Sequence, residues 1–82
     1  MNYDIMEAEL STKERNQLKD SQFGIPELRK YPLTDAAHVR SAISYFHKAP
    51  PGKKRALASR IKKAANKYGV EIDPSSEVAQ YL

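Results

Sequence analysis

Two stretches of this sequence have apolar residues at helical spacing, and a short break between them limits how the chain can fold. The apolar positions of the first stretch are Val39, Ala42, Ile43 and Phe46. Those of the second stretch are Leu57, Ile61, Ala64, Ala65 and Tyr68. Recurrence three and four residues apart indicates amphipathic helices. Because Pro50, Pro51 and Gly52 interrupt helix and leave only a short linker, we expect the two helices to be neighbours, packed antiparallel or crossed at an angle.

The ends of both helices are marked in the sequence. We expect the first helix to run over about residues 35–47, with Thr34 or Asp35 as its N-cap. The second helix is predicted from Pro51 to about residue 68, because proline suits a first helical position. Gly69 is then the expected left-handed terminator.

The segment before these helices is predicted to hold a shorter helix and a packed loop. Ser11 and Glu14 have the spacing of a capping box, which indicates a short N-terminal helix over about residues 12–19. Gly24, which invites a positive φ, and Pro26 then break the helix. The large apolar side chains of this Pro/Gly loop, which we expect to pack against the domain, are Phe23, Ile25 and Leu28.

The sequence therefore predicts an all-α fold, a helical domain over residues 11–72 preceded by an N-terminal arm over residues 1–10. Residues 70–72 alternate in polarity and are expected to lie extended against the helix pair. Residues 73–82 form a C-terminal tail or short helix, which docks on its own core or on another chain. The apolar residues of this tail are Val78, Tyr81 and Leu82.

Charge is distributed very unevenly along the 82 residues. Residues 36–70 contain nine basic side chains and no acidic one, whereas residues 1–35 carry five basic and seven acidic, and residues 71–82 carry three acidic only. The second helix holds the candidate residues for binding a partner or a nucleic acid, with three expected on one flank and two on the other. The three on one flank are Arg55, Lys62 and Lys63, and the two on the other flank are Arg60 and Lys67. The alternative is a helix face that meets only solvent.

No constellation for catalysis or metal binding is found in the sequence. The chain has no cysteine, which excludes disulfides and thiolate metal sites and favours a reducing, cytoplasmic setting. His38 and His47 lie nine residues apart, about 13 Å along a helix, so they cannot share a metal without another element. No glycine-rich phosphate loop, signal peptide or transmembrane run is recognised. We therefore expect no catalytic residue, no metal, no cofactor and no membrane partner.

Three short motifs give the chain a family resemblance. They are Phe-x-Ile/Leu-Pro at residues 23–26, Arg-x-Tyr-Pro at residues 29–32 and Asp-x-x-His at residues 35–38. On the basis of these motifs, roughly residues 10–67 resemble a small domain of tailed-bacteriophage proteins. In that family, the domain occurs alone or appended to virion and capsid-maturation proteins. The resemblance implies a role in particle assembly and supplies no catalytic residue. Its structural positions, expected to cap the helix and fix the preceding loop, are Tyr31, Pro32, Asp35 and His38.

Together these features predict a non-enzymatic bacteriophage structural or assembly module. Its partner would be another phage structural protein or an acidic protein surface, bound through the basic helix in the host cytoplasm or in the virion. The alternative is a small DNA-binding or host-directed accessory protein, which would bind the nucleic-acid backbone without sequence specificity, because the basic helix offers few base-reading side chains.

Overall fold

Residues 18–82 are described by a computed structural model, in which two α-helices pack with a small antiparallel sheet. The strands are β1 (Phe23–Ile25) and β2 (Lys30–Pro32), and the helices are α1 (Ala36–Tyr45) and α2 (Lys54–Tyr68). Single 3₁₀ turns lie at Asp20–Gln22, Pro26–Leu28, Phe46–Lys48, Pro51–Lys53 and Val78–Tyr81. The prediction of an all-α fold is therefore wrong, because the segment expected to be a Pro/Gly loop pairs with itself as a β-hairpin.

In the hairpin, Phe23 lies opposite Pro32 and Ile25 lies opposite Lys30. All three residues of β1 are buried, which confirms that this segment packs against the domain. The expectation that Leu28 also packs against the domain is wrong, since this residue lies in the turn of the hairpin and is 45% exposed.

Gly24 has a different role from the one expected. Among residues 18–82, Gly69 has a positive φ, of 70°, whereas Gly24 does not. A Cβ at Gly24 would lie only 2.3 Å from Leu57 Cδ1 of α2. Glycine at this position of β1 therefore leaves the space that the Leu57 side chain of α2 occupies.

Helix α1 begins as its sequence predicts. Asp35 is the N-cap, and its carboxylate accepts a hydrogen bond from the His38 backbone amide at 2.8 Å. The helix ends at Tyr45 and continues as the 3₁₀ turn, which accounts for the predicted end near residue 47. Tyr31 is buried at a φ of 61°, and its hydroxyl donates to the Tyr45 carbonyl at 2.8 Å. This bond ties β2 to the last turn of α1, where carbonyls lack helical partners.

Helix α2 follows a 3₁₀ turn that starts at Pro51, so the predicted helix is α-helical only from Lys54 onward. Its C-cap is Gly69 in the left-handed conformation, as expected. The buried core joins both helices, the hairpin and the C-terminal tail. Its largest fully buried side chains are Phe23, Phe46, Ile25, Leu57, Ile61, Val39, Val78 and Pro32.

The C-terminal tail docks on the core of its own chain. Val78 is fully buried, and the Tyr81 ring meets the Phe46 ring edge-on with centroids 5.5 Å apart. The predicted arm, the capping box of Ser11 and Glu14, and residues 12–17 of the predicted short helix lie outside the described residues. Leu18 and Lys19, at the predicted end of that helix, are not helical.

Candidate anion-binding surface

Helix α2 divides into a buried side and a cationic side. Leu57, Ala58, Ile61 and Ala65 are buried, and Ala64 and Tyr68 pack against the core from its edge. This confirms the predicted apolar stripe and adds one residue to it. The periodicity that buries one side necessarily turns the positions between these residues outward.

The cations at the start of α2 are used within the domain. Lys53 binds the Glu27 carboxylate, and this hydrogen bond is the main cause that lowers the pKa of Glu27. Lys54 binds Glu77, and its side chain is only 13% exposed. Its ammonium group also lies 5.6 Å from the centroid of the Phe46 ring. These two lysines therefore hold the hairpin turn and the C-terminal tail against α2.

The later cations of α2 are arranged differently. All five residues predicted to bind a partner are exposed, and none has a carboxylate within ion-pair distance in residues 18–82. They are Arg55, Arg60, Lys62, Lys63 and Lys67. Like charges at helical spacing repel one another by a few tenths of a kcal/mol per pair. Within residues 18–82, no carboxylate therefore pairs with the positive surface along most of α2.

Three of these cations line a groove. Arg60, Lys63 and Lys67 recur at i, i+3 and i+7 on one flank of α2, and they border a cavity of about 710 Å³. Arg55 and Lys62 project about 80–160° away around the helix and line no part of it. The expected grouping of Lys63 with those two is therefore wrong.

The rest of the groove comes from residues that the sequence does not predict to belong to a site. Ser21 and Gln22, just before β1, and Leu33, just after β2, lie across from the cations. The helix itself adds Ala56, Ser59, Ala64 and Tyr68. The residues before and after the hairpin are more than twenty positions away from α2 in sequence, so no local pattern marks them as its neighbours.

The four structural residues expected from the family resemblance have roles in the fold and lie outside the groove. Tyr31 and Pro32 are buried in β2, and His38 is 5% exposed. Asp35 Oδ1 lies 2.8 Å from both the backbone amide and Nδ1 of His38. The backbone hydrogen bond is the largest cause that lowers the pKa of Asp35, and the imidazole lowers it further. Asp35 thus caps α1 and anchors His38.

Within residues 18–82 no three acidic or histidine side chains come together as a metal site, and no helix is long and apolar enough to cross a bilayer. A family of unknown function (DUF6582) matches residues 6–75. Because the match covers most of the chain, the protein belongs to this family. No curated protein and no solved structure matches the sequence.

Proposed function

We propose that this member of a family without a known activity is a non-enzymatic bacteriophage assembly module, which binds an acidic surface of another virion protein through α2. The observation that carries the proposal is the set of five exposed cations on α2 that have no carboxylate partner in residues 18–82. The bacteriophage setting is supported by the motif resemblance.

The contrast along α2 supports binding over simple solvation. The same domain places Glu27 and Glu77 on Lys53 and Lys54, so its carboxylates do reach the start of the helix. Further along, no carboxylate of residues 18–82 pairs with the cations, and their mutual repulsion has a cost. An acidic partner surface would remove this repulsion, and complementary charge would also speed encounter and fix orientation.

The test is association with phage particles. The full chain should co-purify with virions or assembly intermediates, and Lys62→Glu combined with Lys63→Glu should remove it from them. The matched control is Arg40→Glu combined with Lys48→Glu, which makes the same charge change at exposed positions of α1 and the following turn. Absence of the wild-type chain from purified virions and from all assembly intermediates would contradict the proposal.

Non-specific binding to duplex DNA is the second candidate, favoured by cations on both flanks of a 15-residue helix. Such binding releases counterions, so four or five phosphate contacts would weaken it several hundredfold between about 50 and 200 mM salt. A gel-shift titration measures this directly. Retention of DNA that is lost in the Lys62→Glu, Lys63→Glu variant would favour this candidate over protein binding.

A further inference from the structure

We infer that the groove beside α2 is the part of this surface that holds the partner, and that it takes an acidic peptide segment with an apolar side chain between its carboxylates. This inference rests on the proposed binding of an acidic protein. It narrows that function to one flank of the helix and to one ligand chemistry.

The spacing of the cations fits an extended peptide. Arg60 and Lys67 are seven residues apart, so they span about 10.5 Å along the helix axis, with Lys63 between them. An extended chain rises about 3.3 Å per residue, and its alternate side chains point to the same side. Carboxylates at the first, third and fifth positions of a five-residue segment would span about 13 Å, close to this distance, and therefore match the three cations.

The remaining lining favours a peptide over a phosphate backbone. Ala64 and Tyr68, which are partly exposed, and the edge of the mostly buried Leu33 give the groove an apolar surface beside its cations. An aliphatic side chain placed on them would leave water, which is favourable in proportion to the apolar area removed from it. The phosphates and sugars of a DNA duplex present no comparable side chain. The hydroxyls of Ser21 and Ser59 can in addition bond to a peptide backbone.

The groove is also unlike a site for a small anion. Its three cations are exposed, and its volume of about 710 Å³ is within the range of clefts that hold drug-sized ligands. Exposed, solvated cations bind an isolated anion weakly, because each pair contributes little in water. Several carboxylates on one peptide add these small contributions and share a single loss of translational freedom.

The experiment measures fluorescence anisotropy of a labelled octapeptide of glutamates with one central leucine, at about 0.15 M salt, where the Debye length of about 8 Å is shorter than the width of a helix. The test variant is Lys63→Glu with Lys67→Glu, in the groove, and we expect it to weaken binding about tenfold. The control is Arg55→Glu with Lys62→Glu, which makes the same charge change on the other flank, and the expected loss is at most about threefold. Replacing the leucine of the probe by serine should weaken binding about fivefold. Circular dichroism checks that both variants fold.

The outcomes separate this inference from the proposed function. Equal losses in the two double variants would overturn the groove as the site. No binding of the octapeptide by the wild-type chain, with particle association still abolished by Lys62→Glu and Lys63→Glu, would overturn the ligand chemistry while the proposed function stands. Tighter binding of a mixed-sequence duplex than of the octapeptide at the same salt would overturn both.

Discussion

Gly24 lies where β1 meets α2 most closely, and it is the position at which a single added methyl group has the clearest expected effect. Because its Cβ would lie 2.3 Å from Leu57 Cδ1 and 3.1 Å from Tyr31 Cβ, Gly24→Ala requires either the buried Leu57 side chain to move or the strand and helix to separate. We expect a loss of about 1–3 kcal/mol in the free energy of unfolding, as for other overpacked cores. Urea denaturation measures it.

Gly52 provides the control, since a Cβ there meets no atom within 4 Å and its φ is not positive. Gly52→Ala should be neutral or stabilise the fold by up to about 1 kcal/mol, because alanine restricts the unfolded chain. Equal losses for the two alanine variants would show that the close approach of β1 and α2 is not what constrains Gly24.

Asp35 should make stability depend on pH in the acid range. Its folded pKa lies below the ordinary value of 3.8, so its contribution is fully present above that value and is lost as the pH falls through the folded pKa. Asp35→Ala should cost about 1 kcal/mol near neutral pH through loss of the cap. Asp35→Ser retains a capping oxygen that does not titrate, so its stability should fall less between pH 5 and about pH 2. Denaturation curves across this range would contradict the assignment if the serine variant and the wild type lost stability equally.

These two residues also show what the sequence could and could not predict at this scale. The sequence predicts Thr34 or Asp35 as the cap, because capping depends on residue type and local position, and the structure has Asp35. The reason for Gly24 was missed, since it depends on Leu57, which is brought close by the tertiary fold. Tyr31 is expected from sequence only to help fix the loop before α1, and its left-handed φ of 61°, which is rare for a bulky residue, has no signal in the sequence.

Among the elements, both helices were predictable and the hairpin was not. The helices have clear apolar periodicity, and their ends depend on proline, glycine and capping residues nearby. Strand β1 is buried at all three of its positions, so it lacks the alternation that identifies a half-exposed strand. Strand β2 ends in Pro32, which argues against a strand in sequence. Three-residue strands of this kind become visible only through their pairing.

The C-terminal tail should contribute to stability through Val78. This side chain is fully buried against the core, so Val78→Ala removes two methyl groups and leaves a cavity. We expect a loss of about 2 kcal/mol in the free energy of unfolding. Leu82→Ala removes more atoms from a residue that is 52% exposed, and its effect should stay within about 0.5 kcal/mol. A larger effect at Leu82 than at Val78 in thermal or urea unfolding would contradict the docked tail.

At the scale of the whole molecule, the acidic residues limit how far the positive surface extends. Glu27 binds Lys53, and the charge of Arg60 also favours its ionised form. Glu27→Gln should therefore strengthen binding of the acidic octapeptide about twofold at low salt, with the gain falling as salt screens the charges. Neither Glu27 nor Glu71 lines the groove, but Glu27 interacts with Arg60, which does; Glu71→Gln makes the same charge change at an exposed residue and should have a smaller effect. Anisotropy titrations at two salt concentrations decide this, and an equal gain from both variants would contradict a local effect of Glu27.

The candidate site was only partly accessible from sequence. Its cations could be predicted because a basic run without acidic residues can be read directly along the sequence, and all five are exposed. Their division between two flanks was predicted wrongly at Lys63, which lies near the boundary between them. The opposite wall, with Ser21, Gln22 and Leu33, depends on how the hairpin packs beside α2, and the hairpin itself was not predicted.

The ion pair between Lys54 and Glu77 makes the charge at the start of α2 depend on whether the C-terminal tail is in place. Proteolysis between residues 73 and 76 would remove Glu77 together with Val78, which covers the core. The cleaved protein would therefore have an unpaired ammonium group on Lys54, and its free energy of unfolding would be lower because the core is uncovered. Cleavage there would make the domain more cationic and more fragile in one step.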